Sequence, residues 1–164
     1  MIRVDHAGEY GAVRIYAGQM AMFGRRNSAA ADAIRHMAEQ EDEHLARFEV
    51  LIAERGVKPT VLQPVWHAAG YGLGAVTALM GERTAMACTE AVEEVIDGHY
   101  GGQIAALGDR DPDLKATLEE FRADEIAHRD AALAHGSQKA LGHALLTDAI
   151  KAGCRLAIAL SQRI

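Results

Sequence analysis

Proline and aromatic residues are scarce in this 164-residue chain: 3 prolines, and 5% Phe, Trp and Tyr together. With abundant alanine, that is a helix former's composition. Cysteine is nearly missing. Cys88 and Cys154 stand far apart and outside any C-x-x-C pattern. They exclude a disulfide scaffold and a thiolate metal site, and they fit a reducing compartment. Basic residues are outnumbered, 17 against 23 acids, for a formal charge of −6, which disfavours nucleic acid as a partner. No uncharged run is long and regular enough to span a membrane as a helix. No signal peptide is visible, because the chain runs straight into Arg3 and Asp5.

What remains is long helical periodicity without competing strand alternation. Helices are expected over roughly 3–24, 28–55, 82–107 and 112–134, with a fifth amphipathic segment over 138–162. The first ends near Gly24-Arg25-Arg26-Asn27-Ser28. Ser28 is a plausible N-cap and Gly56 a plausible stop, and Asp111-Pro112 reads as N-cap and first helical position. The expectation is one all-α domain over 1–164, a four-helix bundle with an extra C-terminal helix. Residues 59–81, PTVLQPVWHAAGYGLGAVTALMG, contain no Asp, Glu, Lys or Arg. Two prolines and four glycines make this stretch a poor single helix, long enough to be the crossover of a bundle.

The halves repeat. YAGQMAMFGRR (16–26) matches YGGQIAALGDR (100–110) at an offset of 84, with six identities in eleven positions. The same offset carries Glu9 onto Glu93, and Glu41-x-x-His44 onto Glu125-x-x-His128. On a helix, residues three apart share a face. Glu from two helices plus Glu-x-x-His from two others matches the ligand pattern of ferritin-like dimetal carboxylate proteins. Four carboxylates in a low-dielectric core need neutralising, and two divalent cations do so, four positive charges against four negative. Carboxylate and imidazole donors without thiolate suit iron or manganese. The competing interpretation of such an acidic run is a solvated helix face.

The blocks VDHAGEYGAVRIYAGQM, QEDEHLARF, KPTVLQPVWHAAGYGLGAVTALMG, AMACTEAVEEVIDGHY, FRADEIAHRD and AGCRLAIALSQRI resemble, in order and over nearly the whole chain, those of the demethoxyubiquinone hydroxylase family. The resemblance implies a ferritin-like di-iron fold with Glu9, Glu41, His44, Glu93, Glu125 and His128 as ligands. Glu41 and Glu125 would be the bridging carboxylates by analogy. It implies a His-Tyr pair beside the site, falling on His99 and Tyr100. The implied reaction is ring hydroxylation of a polyprenylated demethoxyquinol with dioxygen at two iron ions, in ubiquinone biosynthesis. Further expectations are a peripheral membrane protein on the cytoplasmic face of the bacterial inner membrane, a homo-oligomer, and a lipid-binding accessory protein of the pathway as partner. The alternative on the same bundle is a ferroxidase or iron-storage protein, and in another class a scaffold with a structural dimetal site.

Other residues are weighed more plainly. Tyr16 and Tyr100 follow Glu9 and Glu93 by seven and are expected to line the core near the metals. His6 is left as an outer neighbour of the ligands or a surface residue. His67, His135 and His143 are given no role. Glu94, Asp97, Asp42, Glu43 and Asp124 are expected to be solvated. The charge-free stretch holding Trp66 and Tyr71 suits a membrane-surface element that admits a greasy substrate. From 137 to 164, four basic residues face one acid, which suits anionic headgroups or docking onto the bundle or a second subunit.

Overall fold

Caps and glycines divide the chain into six α-helices among the residues described by the computed structural model, 1–24 and 26–164. They are α1 (Ile2–Phe23), α2 (Ala29–Glu54), α3 (Gln63–Leu79), α4 (Glu82–Leu107), α5 (Pro112–Ala134) and α6 (His143–Ser161). Arg25, assigned from sequence to the first break, lies outside the described residues. Ser28 Oγ accepts from the Ala31 amide at 3.2 Å, and Asp111 Oδ1 accepts from the Leu114 amide at 3.2 Å, so both expected N-caps form. Gly24 and Gly108, equivalent in the repeat, follow α1 and α4 with φ of 56° and 57°. That left-handed region is readily open only to glycine.

Short turns make α1–α2 and α4–α5 antiparallel hairpins, and these four helices form the bundle. Tyr16 bonds Glu93 and Tyr100 bonds Glu9, so α1 and α4 run antiparallel across the centre. Two apolar clusters hold the bundle. One contains Tyr16, Phe23, Ile34, Met37 and Met86. The other contains Phe48, Leu51, Tyr100, Leu118 and Phe121. On α2, Glu41 and His44 fall between Met37 and Phe48, so a polar layer is enclosed between two greasy ones. Each large side chain buried in those layers contributes roughly 1.5–3 kcal/mol, which is what holds the polar layer together.

The stretch 59–81 departs from expectation. It contains a regular helix, α3, with Pro64 in the first turn where no amide donor is needed. Its glycines are used for packing. A Cβ on Gly74 would lie 1.9 Å from the Ile15 carbonyl oxygen, and one on Gly18 would lie 2.2 Å from that of Tyr71. Backbone meets backbone along α1 and α3, and the contacts Gly11–Gly70 and Ile15–Gly74 advance together, so the two helices run parallel. Docking offsets the propensity cost of the glycines. The 138–162 segment shortens to α6 after a 3₁₀ turn at Ser137–Lys139, and it docks on α4 as α3 docks on α1. The repeat unit is therefore three helices, not two. Trp66 Nε1 donates to Ser161 Oγ at 3.0 Å and Thr60 Oγ1 to the Ile164 carbonyl at 2.7 Å, tying the start of α3 to the end of the chain.

Candidate metal centre

Helical spacing aims one or two side chains from each bundle helix at the same point. Glu9 comes from α1, Glu41 and His44 from α2, Glu93 from α4, and Glu125 and His128 from α5. All six are between 0% and 2% exposed. They form two groups, Glu9–Glu41–His44–Glu125 and Glu41–Glu93–Glu125–His128, each with one donor atom per residue inside a 4.8 Å span. Glu41 and Glu125 belong to both groups. His44 Nδ1 lies 3.5 Å from Glu9 and 3.3 Å from Glu125, and His128 Nδ1 lies 3.2 Å from Glu41 and 3.3 Å from Glu125.

The donor atoms themselves test whether cations fit. Both oxygens of Glu41 and Glu125, one each of Glu9 and Glu93, and Nδ1 of both histidines are buried without a hydrogen-bond partner. Buried polar atoms are nearly always satisfied, so this many orphans facing one centre mark a place for something that accepts lone pairs. The electrostatics agree. Burial, reinforced by the neighbouring carboxylates, lifts the Glu41 and Glu93 carboxyls well above the usual range, and burial also raises Glu9. Burial pushes Glu125 the same way, but the imidazoles of His128 and His44, each facing it at 3.3 Å, hold it at about 2. Burial disfavours a charged His44, yet Glu125 and Glu9 carry it up to about 11. Two divalent ions would neutralise the four carboxylates directly.

Outside the six, hydrogen bonds cross between the halves. Tyr16 donates to Glu93 Oε1 at 2.7 Å, and Tyr100 donates to Glu9 Oε1. Burial and the adjacent carboxylates hold both phenols well above their ordinary pKa, so they remain donors. His44 Nε2 meets Asp124 Oδ2 at 3.1 Å, and His128 Nε2 meets Gln40 Oε1 at 3.1 Å. Asp124, expected to be solvated, thus orients a candidate ligand, and Gln40 was not singled out at all. The available signal was positional, since each directly precedes a Glu-x-x-His.

His99 does not reach the six. Its Nε2 lies 3.0 Å from Oδ1 of Asp5, whose carboxylate also accepts from Gln103 at 2.6 Å. Asp5 is buried, and burial raises its pKa despite His99 and Gln103. Asp5 was missed because a lone acid in a first helical turn is ordinary. The repeat places Thr89 opposite Asp5 and Ile15 opposite His99, so this polar pair exists only on the Glu9 side. His6 is buried rather than on the surface. His143 pairs with Glu90 at 2.9 Å and His67 with Tyr10 at 2.7 Å, both as packing contacts away from the six.

An apolar cavity of about 590 Å³ lies between α1, α3, α4 and α6. Ala12, Ile15, Trp66, Leu73, Val92 and Ile150 are among its walls, and no described lining residue is charged. Gly8 and Val92, which also line it, each directly precede a glutamate of the centre. Trp66 and Leu73, both half-buried, line this chamber.

The family model described as ubiquinone biosynthesis protein COQ7 matches residues 1–161. A 3-demethoxyubiquinol 3-hydroxylase of Rhodospirillum rubrum is 55% identical over 163 residues, covering 99% of this chain and 76% of that protein. The mitochondrial NADPH-dependent 3-demethoxyubiquinone 3-hydroxylase of Homo sapiens is 49% identical over 168 residues, covering 100% and 76%. The mitochondrial 5-demethoxyubiquinone hydroxylase of Saccharomyces cerevisiae is 41% identical over 179 residues, covering 100% and 77%.

Proposed function

This chain belongs to the ubiquinone biosynthesis protein COQ7 family, and from that premise we propose that it hydroxylates the ring of a polyprenylated demethoxyubiquinol with dioxygen, using two iron ions. The orphaned donor set carries this conclusion, since eight buried atoms from six side chains face one centre without partners. Glu9 with His44, and Glu93 with His128, would each hold one ion, and Glu41 and Glu125 would bridge. Bound iron supplies the oxygen chemistry; the chain supplies position and electrostatics. Carboxylate and imidazole donors suit that metal, and the two free thiols lie outside both donor groups.

The chamber supports the substrate assignment. Its uncharged walls suit a prenylated ring and exclude water from the centre's edge. Exposed apolar residues cluster on the helices that wall it: Val65, Val76 and Leu79 on α3, Leu145 and Leu156 on α6. No described helix is long and apolar enough to cross a membrane. We therefore place the α3–α6 face on a bilayer surface, with α3 as crossover and wall together. The net basic tail over 137–164 favours anionic headgroups, and the free thiols suit the cytoplasmic side of a bacterial inner membrane. A homo-oligomer or a lipid-binding accessory protein would use the same exposed face. The His99–Tyr100 pair is assigned to proton or electron passage, because Tyr100 touches Glu9 while partly exposed His99 is held by Asp5.

The deciding experiment is anaerobic loading with iron(II) and a short-chain demethoxyquinol, then oxygen, with and without NADPH. A ring product heavier by one oxygen supports hydroxylation. Oxygen consumption with iron uptake far above two per chain and no ring product would instead establish the ferroxidase or storage alternative.

A further inference from the structure

The two halves of the centre are not equal, and the difference lies in what stands behind each imidazole. The offset of 84 that maps Glu9 onto Glu93 and His44 onto His128 also maps Gln40 onto Asp124. Each of these is the outer partner of the other half's histidine. His44 Nε2 meets Asp124 Oδ2 at 3.1 Å, and His128 Nε2 meets Gln40 Oε1 at the same 3.1 Å. The geometry is matched and the chemistry is not: one acceptor is a carboxylate, the other an amide oxygen.

Both histidines turn Nδ1 toward the glutamates, so a cation bound there needs the proton on Nε2. A carboxylate can only accept, so Asp124 locks that tautomer and makes Nδ1 a stronger donor. Gln40 presents an oxygen in one orientation and an NH₂ in the other, and the second would oppose the required tautomer. Asp124 also places an anion behind the ligand, screened in part because its side chain is 35% exposed. The π-face differs as well. His44 stacks on Phe121 with centroids 3.9 Å apart, which further fixes its plane, while His128 has Tyr16 only at its edge, 6.4 Å away.

We infer that Asp124 and Gln40 are positioning residues that rank the two halves of the centre, so that the Glu9–His44 half takes its divalent cation first and more tightly than the Glu93–His128 half. This rests on the two-ion assignment above. Its consequence is ordered loading, with the Gln40-backed half the one that empties first.

The experiment is a titration of the metal-depleted full chain with cobalt(II), which is redox-stable and gives ligand-field absorption on binding. Circular dichroism of each variant is recorded alongside, and histidine N–H resonances report which ring is shifted first. The parent should fill in two resolved steps, with the His44 proton shifted before that of His128. Asp124→Asn should weaken the tight step by roughly 10–100-fold and leave the other in place, the usual penalty for losing such an outer acceptor. Gln40→Glu should tighten the weak step instead, and the double exchange Asp124→Gln with Gln40→Asp should reverse the order of the two protons. Two ions bound with unmoved steps, or both steps moved equally by either single variant, would overturn the ranking while leaving the two-ion centre standing. A parent that takes up only one ion would overturn both.

Discussion

Glu41 and Glu125 occupy equivalent places in the repeat, yet their amide variants should behave in opposite ways once metal is stripped. Glu125 lies between the imidazoles, 3.3 Å from each Nδ1, whereas Glu41 reaches only His128, at 3.2 Å. Burial and its carboxylate neighbours keep the Glu41 carboxyl protonated well above the usual range, so Glu41→Gln resembles the group already present. Its metal-free stability should hold or rise, as it does when buried charge is neutralised without loss of volume. Glu125→Gln removes the buried counter-charge nearest His44 Nδ1, leaving Glu9 at 3.5 Å on that side and half-exposed Asp124 at 3.1 Å behind the ring. Breaking a buried pair on one side costs about 3–5 kcal/mol. At about 2–4 °C per kcal/mol for a chain of this size, the melting temperature should fall by about 6–20 °C.

The pH dependences have opposite signs. A depressed carboxyl such as Glu125 contributes stability above its unfolded value of 4.5 that is lost as pH falls toward about 2. A raised one such as Glu41 contributes stability below 4.5 that is lost as pH rises through its folded value. The Glu125→Gln deficit should therefore shrink in acid, and the Glu41→Gln advantage should grow with alkalinity. Scanning calorimetry of metal-free protein across that range measures both. Adding cobalt(II) at a hundredfold excess over its dissociation constant should raise the parent by about 5–11 °C, from about 2.7 kcal/mol of linkage, and either variant by much less. Equal losses in the two metal-free variants, or Glu125→Gln melting with the parent, would refute the placement of charge.

Three further outcomes are expected. Because burial and neighbouring carboxylates raise Glu41 and Glu93, and Glu125 and Glu9 raise His44 to about 11, cation loading should release protons and affinity should weaken as pH falls; loading without proton release in a pH-stat would contradict the raised groups. Tyr100→Phe and His99→Ala should keep two irons and react with oxygen after chemical reduction, yet lose quinol-driven turnover; single-turnover rates within about threefold of the parent, roughly 0.65 kcal/mol, would reduce the pair to packing. Leu79→Asp with Leu145→Asp, both outward and exposed, should abolish co-sedimentation with anionic liposomes while circular dichroism stays helical, and undiminished binding would remove the α3–α6 face as the docking surface.

Local sequence was enough for the helices of the bundle and for the Ser28 and Asp111 caps, and it singled out six side chains that the fold brings together. Periodicity reports which residues share a helix face, and a repeat at constant offset reports which faces are equivalent, so Glu9, Glu41, His44, Glu93, Glu125 and His128 could be assembled before any fold was known. Tertiary structure decided everything that depends on which face meets which. The glycines of 59–81 count against a helix in isolation, and only the backbone contact with α1 at Gly18 and Gly74 turns them into packing surface. Asp124 looks like a solvated neighbour, and Gln40 draws no notice, until α2 and α5 cross and give each the other half's imidazole. The resemblance sets His99 beside the centre, and packing holds it on Asp5, 94 residues away along the chain. A hydrogen bond between distant residues leaves no period in the sequence, because the angle between two packed helices is set by the side chains of both.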